Sequence, residues 1–191
     1  GTSNLLYRIT YGNSTFVTVG RSGTILTSSD GTSWDNRTSG TTNNLVGVTY
    51  GNGLFVVVGG NGTILTSSDG TTWTSRTSGT SNSLSGVTYG NGTFVTVGYS
   101  ISTSSTSTSD NSTPTITTVK STTTLTSSDG VTWTLRDSGT SNELRGNITY
   151  GNGLFVTVGW EGTILTSSDG ISWDNRTSGT SNTLSGITYK E

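Results

Sequence analysis

The chain has 191 residues, of which 10% are charged and 27% hydrophobic, and its formal net charge at pH 7 is −2. It lacks a basic cluster that would favour nucleic acid as a partner, and no apolar run is long enough to span a membrane. Cysteine and histidine are absent, which excludes disulfides, thiolate metal sites and the commonest general base. We therefore expect neither a metal nor a cofactor.

Aromatic and β-branched residues recur at regular intervals along the chain, which indicates ordered strands rather than disorder. A tyrosine followed by Gly-Asn returns about every 39 residues, as at Tyr11, Tyr50 and Tyr89. A unit of this length cannot bury its apolar face alone and must stack on its neighbours. We predict a single domain over 1–191, with repeats at about 5–44, 45–83, 84–143 and 144–183 and an additional terminal strand at 184–191.

The second repeat shows the strand pattern most clearly. A β-branched run, Leu45 to Tyr50, ends at Gly51-Asn52-Gly53, which is a strong hairpin signal. A more continuously apolar run follows at 54–58, and two further turns separate two more short strands. Four short strands joined by tight turns must be antiparallel. The pattern therefore predicts an all-β fold, a four-bladed β-propeller with four strands in each blade.

Each repeat carries the sequence Ser-Ser-Asp-Gly-x-x-Trp before its last strand. This motif resembles the Asp box of sialidase-like and related bacterial repeat propellers, in a form one residue shorter. The resemblance implies a propeller in which the box forms the turn between the third and fourth strands, with Ser and Asp bonding backbone N–H groups and Trp packing between blades. The alternative is ligand binding by the aspartates. The box residues are Ser28, Asp30, Trp34, Ser67, Asp69, Trp73, Ser127, Asp129, Trp133, Ser167, Asp169 and Trp173.

The first-strand segment occurs five times, whereas the other three strands occur four times. One copy is therefore surplus, and the surplus copy at the C-terminal end carries Leu184, Ile187 and Tyr189, which match Leu6 and Ile9 near the N-terminus. It could complete the first blade and fasten the ring, or it could enter a neighbouring molecule and build a filament. A third alternative is that the chain is part of a longer propeller.

The third repeat contains an insertion at 99–124, rich in serine and threonine. We predict a long hairpin arm with a turn at 110–114, and the alternative is a flexible, glycosylated loop. Residues off the repeat schedule are candidate surface contacts, namely Arg21, Tyr99, Trp160 and Glu161. For Trp160 the alternative is packing against the insertion.

Seven asparagines lie in Asn-x-Ser/Thr sequences and are candidate N-glycosylation sites. Asn111, at the expected tip of the arm, is the best placed. The seven are Asn13, Asn36, Asn61, Asn91, Asn111, Asn147 and Asn175.

We expect no enzyme activity. Sialidases need converging arginines, a tyrosine nucleophile and an acid/base carboxylate, but four of the arginines here occupy one equivalent repeat position and cannot converge. The expected function is that of an extracellular or cell-surface structural protein, a subunit that assembles with copies of itself, as a filament for example, by exchange of a terminal strand. The alternative is a glycan-binding lectin or adhesin on a cell or phage surface, since propellers with repeated blades offer multivalent pockets.

Overall fold

Four four-stranded antiparallel sheets make up the computed structural model, which describes residues 1–106 and 115–190. In each sheet the strands are hydrogen-bonded in sequence order, and the first strand of each blade packs against the first strand of the next. The fold is a four-bladed β-propeller, which confirms the predicted fold class. Among the described residues, no helix is long and apolar enough to cross a bilayer.

The strand bounds follow the predicted repeats. Blade 1 contains β1 (Leu6–Gly12), β2 (Thr15–Gly20), β3 (Ile25–Ser28) and β4 (Asp35–Arg37). Blade 2 contains β5 (Leu45–Gly51), β6 (Leu54–Gly59), β7 (Ile64–Ser67) and β8 (Thr74–Arg76). Blade 3 contains β9 (Ser83–Gly90), β10 (Thr93–Thr106), β11 (Thr115–Ser127) and β12 (Thr134–Arg136). Blade 4 contains β13 (Ile148–Gly151), β14 (Leu154–Val158), β15 (Ile164–Ser167) and β16 (Asp174–Arg176).

The turns explain why Asn and Gly recur. Between β5 and β6, Asn52 has φ 48° and Gly53 has φ 73°, which is the left-handed pair that a two-residue hairpin turn requires. In blades 1, 2 and 4 a three-residue turn whose middle residue has a positive φ joins the second and third strands, at Arg21–Gly23, Gly60–Gly62 and Trp160–Gly162.

Blade 3 carries the predicted arm instead of this turn. Strands β10 and β11 stay paired from Phe94 with Ser127 out to Thr106 with Thr115. The predicted turn at 110–114, including Asn111, lies outside the described residues.

Blade 4 begins with a shorter first strand than the repeat pattern predicts. The predicted strand runs from Leu144 to Tyr150, but β13 begins only at Ile148. One residue more than in the other repeats, Asn147, lies between Gly146 and Ile148, and Gly146 N–H donates to Val158 O at 3.1 Å. The additional residue interrupts the regular ladder at this point, but Trp160 N–H still donates to Glu143 O at 2.9 Å, so the preceding segment remains bonded to the blade.

Neighbouring blades are joined by apolar clusters, and the described residues contain three of them. Between blades 1 and 2, Val17 and Val19 pack with Leu45, Phe55 and their neighbours. Equivalent residues form the clusters between blades 2 and 3 and between blades 3 and 4. Most stabilisation of such a fold comes from these contacts between adjacent repeats.

At each junction a tyrosine ring packs directly against a glycine of the preceding blade. A methyl group on Gly12 would lie 2.6 Å from Tyr50 Cβ, and one on Gly51 would lie 2.5 Å from Tyr89 Cβ. Gly90 has the same relation to Tyr150. Only glycine leaves space for the ring of the following blade, which explains the recurrent Tyr-Gly pair.

Candidate functional site

In the Ser-Ser-Asp-Gly turns, the Ser and Asp side chains accept hydrogen bonds from backbone N–H groups of the same turn. In blade 1, Ser28 Oγ accepts from Gly31 N–H at 2.8 Å, and Asp30 Oδ1 accepts from Thr32 and Ser33 N–H at 2.8 and 2.9 Å. The same bonds recur in the other three blades. One carboxylate oxygen of each of these aspartates, Oδ1, is therefore engaged within the turn.

Three of the four tryptophans of the motif lie at the junctions between blades. Trp73, Trp133 and Trp173 pack against the three apolar clusters. In blades 1 to 3 the indole N–H donates to the glycine carbonyl of the turn, whereas Trp173 Nε1 is buried with no partner among the described residues.

These hydrogen bonds lower the pKa of the four motif aspartates below the ordinary value. The backbone N–H groups of Thr132 and Val131, followed by the Ser127 hydroxyl, lower the pKa of Asp129 to about 2. For Asp69 the largest cause of the lowered pKa is the Thr71 side chain, followed by the backbone of Thr72. The pKa of Asp30 and that of Asp169 are lowered mainly by the backbone N–H groups of Ser33 and Ser172.

We expect the propeller to lose stability in acid because of these turns. A carboxyl whose pKa is lower in the folded than in the unfolded chain stabilises the fold fully above the unfolded value of 3.8, and that contribution is lost as the pH falls through the folded pKa. The thermal unfolding midpoint should therefore decrease as the pH is lowered from about 5 to about 2. The change should be smaller in Asp69→Ala, which lacks one of the four groups. An equal pH dependence of the midpoint in Asp69→Ala and the parent chain would contradict this assignment.

The first blade leaves one face without a neighbour. Leu6, Ile9 and Tyr11 are 46%, 57% and 58% exposed. The residues at the position of Leu6 in the other blades, Leu45 and Leu84, are fully buried. We call this surface the leading face of blade 1. It comprises Leu6, Ile9, Tyr11, Phe16, Leu26 and Trp34.

The aromatic residues of the leading face are already in the arrangement found at the junctions. The ring centroids of Tyr11 and Phe16 are 4.6 Å apart, and those of Phe16 and Trp34 are 6.4 Å apart. Blade 2, whose equivalent face is covered, has the same two separations. The leading face is therefore preorganised for packing and needs no rearrangement.

The surplus segment lies on blade 4, not on blade 1. Leu184 N–H donates to Gly159 O at 2.9 Å, and Tyr189 lies on Gly151 as Tyr50 lies on Gly12. Completion of the first blade by this segment, one of the three alternatives left open by the sequence, is not observed, since the blade 1 sheet contains only its own four strands. The segment covers the face of blade 4 equivalent to those that join other blades. We call this the trailing face, and it comprises Gly151, Val156, Val158 and Ile164.

Residues 184–190 also differ from the expected strand, because they take no regular secondary structure. A β-strand needs a ladder partner, and within the described chain no second strand of a fifth blade pairs with them. Leu184 and Ile187 are half-buried and Tyr189 stays exposed.

Several residues that differ from the repeat pattern lie close together at the junction between blades 3 and 4. The Arg145 guanidinium carbon lies 4.7 Å from the ring centroid of Tyr99 and 5.3 Å from that of Trp160. Lys120, on the arm, lies 4.9 Å from the Trp160 ring centroid. The structure thus brings together two of the four predicted surface residues, and Trp160 contacts the insertion, as the alternative interpretation expected.

The buried carboxylate of Glu143 pairs with both of these cations. Glu143 is 1% exposed, bonds Arg145 Nε through Oε2 and pairs with Lys120 Nζ at 3.8 Å through Oε1. Sequence reasoning missed Lys120, Glu143 and Arg145. A signal was present, because at the positions of Glu143 and Arg145 the second repeat has Asn44 and Val46.

The other two predicted surface residues stay apart from this cluster. Arg21 and Glu161 are exposed and form no salt bridge within the described part of the chain. Of the glycosylation candidates, Asn61 is exposed and Asn147 is half-buried on the inner side of blade 4. Exposure favours Asn61 as the better acceptor of the two.

Within the described ranges, no group of three His, Cys, Asp or Glu residues could hold a metal ion. The repeated arginines each bond a threonine of their own blade, as Arg76 Nε does to Thr66 Oγ1 at 2.8 Å.

No protein-family model matches the chain, and no curated protein matches its sequence. Solved structures with a similar fold include "YCF48 bound to D1 peptide", with a TM-score of 0.64 and 17% identity over 97% of this chain and 57% of that one. They also include YCF48 from Cyanidioschyzon merolae, with a TM-score of 0.64 and 17% identity over 98% of this chain and 61% of that one. The chain thus spans about three-fifths of the length of these structures. At this identity the likeness concerns the fold.

Proposed function

We propose that this protein is a non-catalytic, extracellular structural subunit that associates head to tail with copies of itself. In this arrangement the leading face of blade 1 on one copy docks on the trailing face of blade 4 on the next. The observation that carries the proposal is that blade 1 exposes Leu6, Ile9 and Tyr11, whose equivalents are buried in, or packed against, the apolar cluster at each junction between blades.

The two faces match because both are copies of surfaces that already pack together. Within the molecule, Val17 and Val19 pack with Leu45 and Phe55. Between molecules, Val156 and Val158 would meet Leu6 and Phe16, which occupy the same positions in their repeats. Tyr11 would lie on Gly151, where Tyr189 lies in the single chain. Complete burial of a side chain such as Ile9 stabilises by about 1.5–3 kcal/mol before the cost of association.

Face docking fits the residues better than the strand exchange expected from the sequence. In an exchanged strand, Lys190 would replace Gly12, and its Cβ would lie 2.6 Å from Tyr50 Cβ. Tyr50 would have to leave its place at the first junction. A copy that docks with its own β1 keeps Gly12 and avoids this clash.

An interface between two different faces can repeat without limit. It produces a ring if the rotation between copies closes and an open filament if it does not. The low content of charged residues suits a surface that packs against its own copies. One of the similar structures named above holds a peptide according to its title. For this chain we assign the role of protein partner to a second copy.

Glycan binding is the second candidate, and it depends on Tyr99 and Trp160. Sugars stack on open aromatic faces, but Arg145 and Lys120 already lie over the Trp160 ring. Because these cations cover the ring, we rank glycan binding second to self-association. A neutral oligosaccharide that binds the chain and is lost in Trp160→Ala would favour the second candidate.

Sedimentation velocity over a concentration series tests head-to-tail docking. Ile9 is 57% exposed, so Ile9→Lys should leave the fold intact while placing a charge in the docking face. We expect at least about tenfold weaker association, because a buried unpaired charge is costly. Leu135→Lys is the matched control, since Leu135 is 62% exposed but lies on the outer strand β12. Equal association of the parent chain and both variants would exclude the leading face as the interface.

A further inference from the structure

We infer that the groove at the centre of the propeller binds a carboxylate ligand with an apolar body. Residues from all four repeats line this cavity of about 360 Å³, which we call the central groove. Those that carry the argument are Arg8, Val46, Ser85, Tyr99 and Arg145. The groove adjoins the leading face, because Tyr7 and Arg8 also line the pocket beside Leu6 and Ile9, but Ile9 itself does not line the groove.

The central groove is positively charged. Arg8 and Arg145 both line it, and no carboxylate of the described residues does. The nearby acid, Glu143, is buried behind Arg145 and already paired with Arg145 and Lys120. Two guanidinium groups in a concave surface attract an anion.

Contacts with neighbouring side chains fix the position of the Arg145 guanidinium. Its Nε bonds Glu143, and its guanidinium lies over Tyr99 and Trp160. Its two terminal nitrogens donate to no acceptor among the described residues. A guanidinium fixed in this way presents a planar pair of donors that matches a carboxylate.

Arg8 is the second cation and departs from the repeat. The equivalent positions are Gly47, Gly86 and Gly146, where the first strands of consecutive blades approach closely. Arg8 is exposed and, among the described residues, its Nη1 bonds only the neighbouring Tyr7 carbonyl, at 3.1 Å.

Two of the neutral polar side chains that line the groove, Ser85 and Asn44, are already bonded within the protein. Ser85 Oγ donates to Leu144 O and also lies 3.1 Å from Val97 O. Asn44 Oδ1 accepts from Ser22 N–H at 3.0 Å. Because a neutral sugar needs several such groups, the site favours a ligand recognised by its charge. Val46 and Tyr7 provide apolar surface for the rest of the ligand.

Two sources share this chemistry, a free organic acid and the C-terminal residue of a peptide. Both present one carboxylate next to a compact apolar group. A groove of this volume accommodates a ligand of that size.

Calorimetric titration at a protein concentration where the chain is monomeric tests the site. The probes are 3-phenylpropionate and its uncharged amide, with N-acetylphenylalanine as the mimic of a peptide end. We expect saturable binding of both acids and at least about tenfold weaker binding of the amide. Arg8→Gln should weaken binding of the acids by a similar factor, whereas Arg176→Gln, on the outer strand of blade 4, should not. Arg145→Gln should abolish binding, with circular dichroism as the check on folding.

The relative affinities of the two acids identify the source. Tighter binding of N-acetylphenylalanine assigns a peptide end, and tighter binding of 3-phenylpropionate assigns a free acid. Equal binding of acid and amide, unchanged binding in Arg8→Gln, or binding of a neutral oligosaccharide instead would overturn the inference. Failure of this site leaves the proposed self-association untouched, because Ile9→Lys tests a different surface.

Discussion

Gly51→Ala is expected to lower the free energy of unfolding by about 2–3 kcal/mol, because a Cβ at this position has no space. The methyl group would lie 2.5 Å from Tyr89 Cβ and closer still to the ring. Tyr89 belongs to the apolar cluster between blades 2 and 3, so it cannot move without opening that junction. For a chain of this size the unfolding midpoint should fall by roughly 4–12 °C.

Gly186→Ala provides the matched control for this measurement. Gly186 lies in the surplus segment at the repeat position of Gly47 and Gly86, and no atom lies within 4 Å of a Cβ built there. Its thermal midpoint should stay within experimental error of the parent chain. If differential scanning calorimetry gives equal midpoints for both variants, the tyrosine-on-glycine contact does not hold the blades together.

Removing residues 184–191 is expected to increase head-to-tail association by at least about tenfold. Tyr189 lies on Gly151, at the place that Tyr11 of a second copy would take. The segment therefore competes with the incoming blade, and its removal leaves the trailing face open. Sedimentation velocity should show larger species at lower concentration than for the full chain.

Strand exchange makes the opposite prediction, because it needs this segment as the donated strand. Loss of association on deletion would therefore favour strand exchange over face docking. Non-specific aggregation of the newly exposed Val156 and Ile164 is controlled by adding Ile9→Lys to the deletion. This doubly changed chain should be monomeric, and persistent aggregation would contradict a specific interface.

The architecture could be predicted from the sequence because each blade is specified locally. Turn residues such as Asn52 and Gly53 fix each hairpin, and the alternation of apolar residues fixes which face is buried. The arm in blade 3 could be predicted for the same reason, since β10 and β11 extend a hairpin that the repeat already contains.

The location of the surplus segment could not be predicted in the same way. Leu184, Ile187 and Tyr189 match the first strand of every blade equally well. The choice between blade 1 and blade 4 depends on packing in three dimensions, where Gly151 provides the site that Tyr189 occupies.

The central groove was only partly visible in the sequence. Tyr99 and Trp160 stood out as departures from the repeat, but their contact with Arg145 depends on how blades 3 and 4 pack. Glu143 and Arg8 also depart from the repeat. Glu143 is important because it is buried beside two cations, and Arg8 is important because it lines the same groove as Arg145.

An electron cryo-microscopy reconstruction of the chain lacking residues 184–191 examines self-association most directly. We predict blade following blade across the boundary between copies, with the Tyr11 ring of one molecule seated on Gly151 of the next. Isolated four-bladed particles at high concentration, with solvent in front of Leu6 and Ile9, would contradict the proposal.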